Sequence, residues 1–218
     1  MMRRIEKKII LTFLAISSLS IKVYASNCEK AAQLIGSGRG VDQLNSDCIE
    51  YVKKQTPPAR VIEDLVTKKK IMSHKNMILI EKENGQNDLI AGKSTGLSEV
   101  VAITKGFSTD EIIVLDIQGK VMTFNIGHVG NIGPIRVFNY PGFAGAKQIF
   151  ADKKNQEIIV FNHLQKKAYF FSVFANSKNK KAKKFSVVSR VVKGVSQSKL
   201  NIQDGSVTFY DDVGSIIK

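Results

Sequence analysis

Cysteine, histidine, acidic side chains and long apolar runs are all scarce in this sequence, and each scarcity removes a class of function. The two cysteines, Cys28 and Cys48, are too far apart for a redox Cys-x-x-Cys pair, and no histidine beside them suggests a metal site. The three histidines, His74, His128 and His163, are scattered and lack a ligand spacing such as His-x-x-x-His. No Asn-x-Ser/Thr acceptor occurs, since Asn45 and Asn176 are each followed directly by serine and then by Asp47 and Lys178. The longest apolar run, Ile9 to Ile21, has 13 residues, whereas a membrane-spanning helix needs roughly 20.

That run has a different use. It follows a strongly basic start, Met1-Met2-Arg3-Arg4-Ile5-Glu6-Lys7-Lys8, and precedes Val23-Tyr24-Ala25-Ser26, where small residues stand. A basic region, an apolar region and a small-residue exit form the pattern of a cleavable secretory signal. The expectation is a leader over residues 1–25, cut after Ala25, with no spanning segment left behind. Lipid attachment at Cys28 is disfavoured. Asn27 stands directly before it and Ala25 three before, where a small apolar residue and a leucine are wanted. The Lys-, Ile- and Asn-rich composition resembles that of bacterial proteins, so the destination is the periplasm or the medium.

Acidic residues number 19 against 33 lysines and arginines, a formal charge of +14. Losing the leader leaves about +10, a field that draws the protein toward phospholipid heads, acidic wall polymers or nucleic acid. Roughly 190 residues remain, enough for one compact domain or a domain with an appendage. In an oxidising compartment Cys28 and Cys48 form one bridge. Closing a loop of about 20 residues stabilises its segment by roughly 3 kcal/mol.

Residues 26–70 read as short helices. Asn27 is an N-cap before Ala31, Ala32, Leu34 and Ile35, and Gly36-Ser37-Gly38 ends the first helix. Val41, Leu44, Cys48 and Val52 recur at spacings of three and four, one face of a second. Thr56-Pro57-Pro58 breaks the chain and starts a third, with Val61, Ile62, Leu65 and Val66. The bridge then ties the first helix to the second.

From Ile71 to Lys218 the texture changes to short runs of Ile, Val, Phe and Tyr between Gly, Asn, Asp and Lys clusters, the pattern of many antiparallel strands. A repeat is visible. Asp110-Glu111-Ile112-Ile113-Val114-Leu115-Asp116 matches Gln156-Glu157-Ile158-Ile159-Val160-Phe161-Asn162, an offset of 46 residues. A polar turn comes after each, Gln118-Gly119-Lys120 or Gln165-Lys166-Lys167, and then a second strand, Val121–Phe124 or Ala168–Phe171. Weaker copies centre on Met77–Ile80 and Val207–Tyr210. A period of 40 to 50 residues with several strands per unit marks propeller blades. The unit resembles the blade of NHL-type or related β-propellers over about residues 75–215, without a Trp-Asp signature because the chain has no tryptophan. The resemblance implies three or four blade-like units. A small ring, a ring completed by another copy (hence an oligomer), an open array and a β-sandwich all remain open.

Candidate chemistry is thin. Gly92-Lys93-Ser94-Thr95-Gly96 fits a Gly-x-Ser-x-Gly nucleophile elbow only if a helix comes next, and the next run, Leu97–Thr104, is strand-like. As a phosphate loop it lacks a glycine at Asn87. Asp110, Asp116, Asp211 and Asp212 could pair as carboxylates but suit turns equally. Gly127, Gly130 and Gly133 precede Pro134 and read as a connection between blades. The densest charge is the run 178–184, where Lys178, Lys180, Lys181, Lys183 and Lys184 sit on a long hairpin tip. They form a candidate site for an anionic polymer through a diffuse field rather than bidentate recognition. Without interleaved aromatics this loop is not a sequence-specific nucleic-acid reader.

The sequence therefore leads to an exported, secreted or periplasmic, non-enzymatic binding protein. Its β-repeat surface meets a protein partner, with no cofactor, no metal and no catalytic residues. One alternative is a protein held to an anionic envelope polymer by the lysine loop. The other is a small secreted hydrolase built on Ser94 or an acid pair.

Overall fold

The chain is represented by a computed structural model that describes residues 28–33, 46–57, 60–64, 67–172, 188–201 and 206–217. Neither the expected leader, residues 1–25, nor the run 178–184 falls among the described residues. Within them the protein is mainly β, with four separate antiparallel sheets.

Each sheet is a simple meander. The first holds β1 (Val61–Glu63), β2 (Lys70–His74), β3 (Met77–Glu81) and β4 (Asn87–Ile90). The second holds β5 (Val100–Lys105), β6 (Glu111–Asp116), β7 (Lys120–Asn125) and β8 (Arg136–Asn139). The third holds β9 (Gln148–Asp152), β10 (Glu157–Asn162), β11 (Lys167–Ser172) and β12 (Arg190–Lys193). The fourth has three strands, β13 (Gln197–Leu200), β14 (Val207–Tyr210) and β15 (Ile216–Ile217). Four blade-like units are thus present, and a two-sheet sandwich is set aside.

The repeated strands β6 and β10 explain why their sequences show no polar alternation. Side chains of a strand point to opposite faces in turn, and both faces of these strands are covered. Ile112 and Val114 enter the core between the first and second sheets, while Ile113 and Leu115 enter the core between the second and third. In β10, Ile158 and Val160 share that second core, and Ile159 and Phe161 face the fourth sheet. A strand buried on both sides reads as an unbroken apolar run.

The sheets therefore stack in chain order, one apolar cluster between each neighbouring pair. Their first strands lie side by side and parallel. Arg60 pairs with Glu99 at 3.3 Å at the starts of β1 and β5, and Lys105 pairs with Asp64 at their ends. Ser198 in β13 donates to Gln148 Oε1 in β9 at 2.8 Å. A further cluster covers the outer face of the first sheet with α1 (residues 28–33) and α2 (Ser46–Gln55). On the outer face of the fourth sheet, register places Gln197, Lys199, Thr208, Tyr210 and Ile216 together, and none of them belongs to the four clusters. Among the described residues nothing packs on that face.

Three sequence expectations change. Val61 and Ile62 belong to a strand, not a third helix. Two β-branched residues after a proline pair favour extended backbone, and so short an apolar run cannot distinguish the two periods. The first sheet thus begins at Val61 instead of Ile71. The weak repeat at Met77–Ile80 is the third strand of its sheet, whereas β6, β10 and β14 are second strands. The glycine loop at 127–133 lies inside the second sheet, between β7 and β8. It laps back onto β4, where Gly130 N donates to Leu89 O at 2.7 Å and Ala91 N donates to Gly130 O at 3.2 Å.

Candidate functional site

The hairpins that join the second and third strands gather at one end of the stack, and those of the second, third and fourth sheets are built alike. In the second sheet Asp116 Oδ1 accepts from the backbone N–H of Gln118 at 3.0 Å and Lys120 at 2.8 Å, and Ser98 Oγ donates to Oδ2 at 2.8 Å. In the fourth, Asp211 Oδ1 accepts from Val213 N and Ser215 N at 3.0 and 2.8 Å. In the third, Asn162 Oδ1 accepts from Gln165 N at 3.2 Å, while Nδ2 donates to Gly142 O and Ala144 O. A short side chain that satisfies its own turn is what Asp and Asn do best. Gly119 completes the turn after Asp116 with φ 81°, and a Cβ there would stand 2.9 Å from Ala144 N.

Four links place these turns at the end where the first strands begin. Val100 N donates to Lys75 O, and Ile117 N donates to Glu99 O, each at 2.8 Å. Lys166 pairs with Asp212 at 2.6 Å, joining the turns of the third and fourth sheets. Leu164 lies against Gly145, in the connection into β9. The four tips carry Lys75, Ile117, Leu164 and Val213. The three aliphatic ones are 54%, 73% and 85% exposed.

Most acidic groups near this end have partners. Glu99 pairs with Arg60, Asp212 with Lys166, and Asp116 is buried in its turn and lies 3.5 Å from Lys120. The exposed Lys75, Lys93 and Lys147 have no acidic partner among the described residues. Glu29 accepts from Asn76 Nδ2 at 3.1 Å beside Lys75, and Asp211 is held by its turn.

The residues singled out for chemistry are dispersed. Ser94 sits exposed in a short 3-10 turn, Lys93–Thr95, with its backbone N–H donating to Asn131 Oδ1 at 2.8 Å. The chain then enters β5, so the helix that an elbow requires is not there. Asp110 stands at the opposite end of the stack from Asp116, Asp211 and Asp212 and pairs with Lys69 at 3.7 Å. Among the described residues no group of three His, Cys, Asp or Glu comes together. His128 and His163 are exposed in separate loops. Lys178, Lys180, Lys181, Lys183 and Lys184 lie outside the described residues, between the paired strands β11 and β12.

The helical cap holds the Cys28–Cys48 disulfide, its Cα atoms 5.4 Å apart. Both cysteines are buried against Met72, Met77 and Leu89. His74, on the face of β2 turned to the helices, meets the Tyr51 ring edge-on at 5.5 Å. Burial, reinforced by the Lys75 ammonium, lowers its pKa below the usual 6.5, against the backbone of Gln55, which favours the proton. Neither ring nitrogen has a hydrogen-bond partner among the described residues. Burial, aided by Tyr140, likewise raises the Tyr169 hydroxyl above its ordinary value.

Sequence reasoning passed over the aliphatic tips. Their signal is an apolar residue one or two places after the turn-forming Asp or Asn, before the following Gly or Lys.

No known protein family matches the chain, and no curated protein matches it. Among solved structures it is similar to one described as "Structure of apo AztD from Citrobacter koseri", with 13% identity and a TM-score of 0.41. The likeness covers 51% of this chain and 30% of that one. The blade-like description therefore rests on the four sheets themselves.

Proposed function

We propose that this protein is an exported, non-enzymatic binding module whose β-repeat body, with NHL-like units, presents its surface to a protein partner. The observation that supports this reading is the repeated construction of the hairpin ends. Asp116, Asn162 and Asp211 hold their turns by backbone hydrogen bonds. The side chains beyond them are thereby presented on short, fixed turns, as a recognition surface requires. The Cys28–Cys48 bridge accords with an oxidising compartment beyond the cytosol. That repeat β folds serve as interaction platforms is an argument from architecture.

The test is chemical cross-linking on intact producing cells, identification of the linked protein, and reconstitution of the pair from purified components. A complex of fixed stoichiometry that survives gel filtration supports the reading. A turnover found in a hydrolase substrate screen and abolished by Ser94→Ala overturns it.

The second reading, attachment to an anionic envelope polymer, draws on the charge of about +10 that remains of the full chain's +14 once the leader is removed. Graded salt elution from an anionic matrix reads it directly. The loop variant with Lys178, Lys180, Lys181, Lys183 and Lys184 all changed to Gln must elute earlier, and an unchanged elution point rejects this reading.

A further inference from the structure

The same end of the stack carries a surface that goes beyond a general binding role, whether or not a protein partner exists. We propose that the hairpin tips at this end dock on an anionic lipid bilayer, with Ile117, Leu164 and Val213 entering the head-group layer and Lys75, Lys93 and Lys147 meeting the lipid phosphates.

Three observations converge. First, an aliphatic side chain more than half exposed stands in the hairpin between the second and third strands of three consecutive sheets, one place after Asp116 and two places after Asn162 and Asp211. They project outward and are separated by polar residues, so they enter a soft layer more readily than they fill preformed pockets. Second, the lysines stand in the turn or connection beside them. Lys75 is the tip of the first sheet, Lys93 precedes β5, and Lys147 precedes β9. Of the acidic groups at this end, Glu99, Asp116 and Asp212 face Arg60, Lys120 and Lys166, Asp211 is held in its turn, and Glu29 accepts from Asn76 beside Lys75, whereas Lys93 and Lys147 have no acidic partner among the described residues. Third, the composition of the surface suits lipid better than protein. Energetic centres of protein interfaces are rich in Trp, Tyr and Arg, while Leu and Val are under-represented there and Lys is depleted. Lysines around a small apolar wedge are what an anionic leaflet attracts.

The turns supply the rigidity that insertion needs. Val213 is held by the hydrogen bond from its backbone N–H to Asp211 Oδ1, and Ile117 by its backbone bond to Glu99 O. The Lys166–Asp212 pair fixes the third tip relative to the fourth sheet. Being exposed, this ion pair contributes little stability, and the rigidity of each tip rests on its own turn bonds.

The experiment is co-sedimentation with vesicles of phosphatidylglycerol and phosphatidylcholine in equal parts, with pure phosphatidylcholine vesicles as the comparison. The full chain is used throughout in a background where Lys178, Lys180, Lys181, Lys183 and Lys184 are all Gln, so that loop contributes no attraction. The background protein is expected to partition onto the mixed vesicles and much less onto neutral ones. Combined Ile117→Ser, Leu164→Ser and Val213→Ser should weaken that partition roughly tenfold or more. Combined Lys75→Gln, Lys93→Gln and Lys147→Gln should weaken it by roughly fivefold per lysine. Thermal melts show whether each variant remains folded, and single-tip variants replace any triple that does not. The proposal fails if the background protein ignores anionic vesicles, or if the tip variants bind them as well as it does. It fails equally if the tip changes abolish only binding to a purified protein partner, which would make this end a protein interface.

Discussion

Removing the Phe143 ring tests the stacking of the sheets where it is densest. Phe143 lies in a short 3-10 turn between β8 and β9 and is 0% exposed. Its ring meets Phe138 and Tyr169 at 5.6 Å, Phe171 at 5.5 Å and Tyr140 at 5.3 Å between centroids. Phe138 belongs to the second sheet, Tyr169 and Phe171 to the third, so one side chain bridges two units. A buried Phe→Ala change costs about 3–5 kcal/mol from lost transfer energy and the residual cavity. The aromatic contacts, worth about 0.5–1.5 kcal/mol per pair, place this site toward the upper part of that range. With a urea slope of about 2 kcal/mol per molar, Phe143→Ala should lower the unfolding midpoint by roughly 2 M. Leu164→Ala, at an exposed tip, should shift it by less than about 0.3 M. Equilibrium urea titration followed by far-UV circular dichroism reads both. A Phe143→Ala shift no larger than that of Leu164→Ala would refute the shared core between the second and third sheets.

Reduction of Cys28–Cys48 should destabilise the helical cap by about 3 kcal/mol, seen as new protease cleavage in residues 28–55 while the sheets stay resistant; an unchanged digest would contradict it. Because burial lowers the His74 pKa from its ordinary 6.5, the unfolded chain takes up this proton at higher pH than the folded one. Stability should be full above about pH 6.5 and decline as the pH falls from there toward the folded value. His74→Gln should flatten that part of a stability-versus-pH curve. Gly119→Ala forces a side chain into φ 81° with a Cβ 2.9 Å from Ala144 N, whereas Gly85→Ala meets φ 78° with nothing within 4 Å. Both should lose about 1–2 kcal/mol to backbone strain, and the first should lose at least about 1 kcal/mol more, measured by the same urea titration.

Much of the β body was legible because its repeat is written in residues of clear physical meaning. Glu111-Ile112-Ile113-Val114-Leu115-Asp116 and its partner at 157–162 combine a doubly buried strand with a turn-forming carboxylate or amide. Those two demands leave few other residue types. The disulfide was equally plain from an even cysteine pair. Val61-Ile62 was misread because two apolar residues do not define a period, and only the pairing of β1 with β2 reveals the strand. The glycine loop was misplaced because its bonds to Leu89 and Ala91 join segments about 40 residues apart in sequence, and no local pattern encodes such a contact. The tips Ile117, Leu164 and Val213 escaped notice for a related reason. Each is ordinary alone, and they become a set only when the sheets bring their turns to one end.

Intact-mass measurement on protein recovered from its natural source, without reductant, tests the claim of an exported, bridged β-repeat body most directly. The account predicts a chain beginning at Ser26 whose mass is about 2 Da below that of the fully reduced form. A chain that retains Met1 and carries two alkylatable thiols at Cys28 and Cys48 would contradict it.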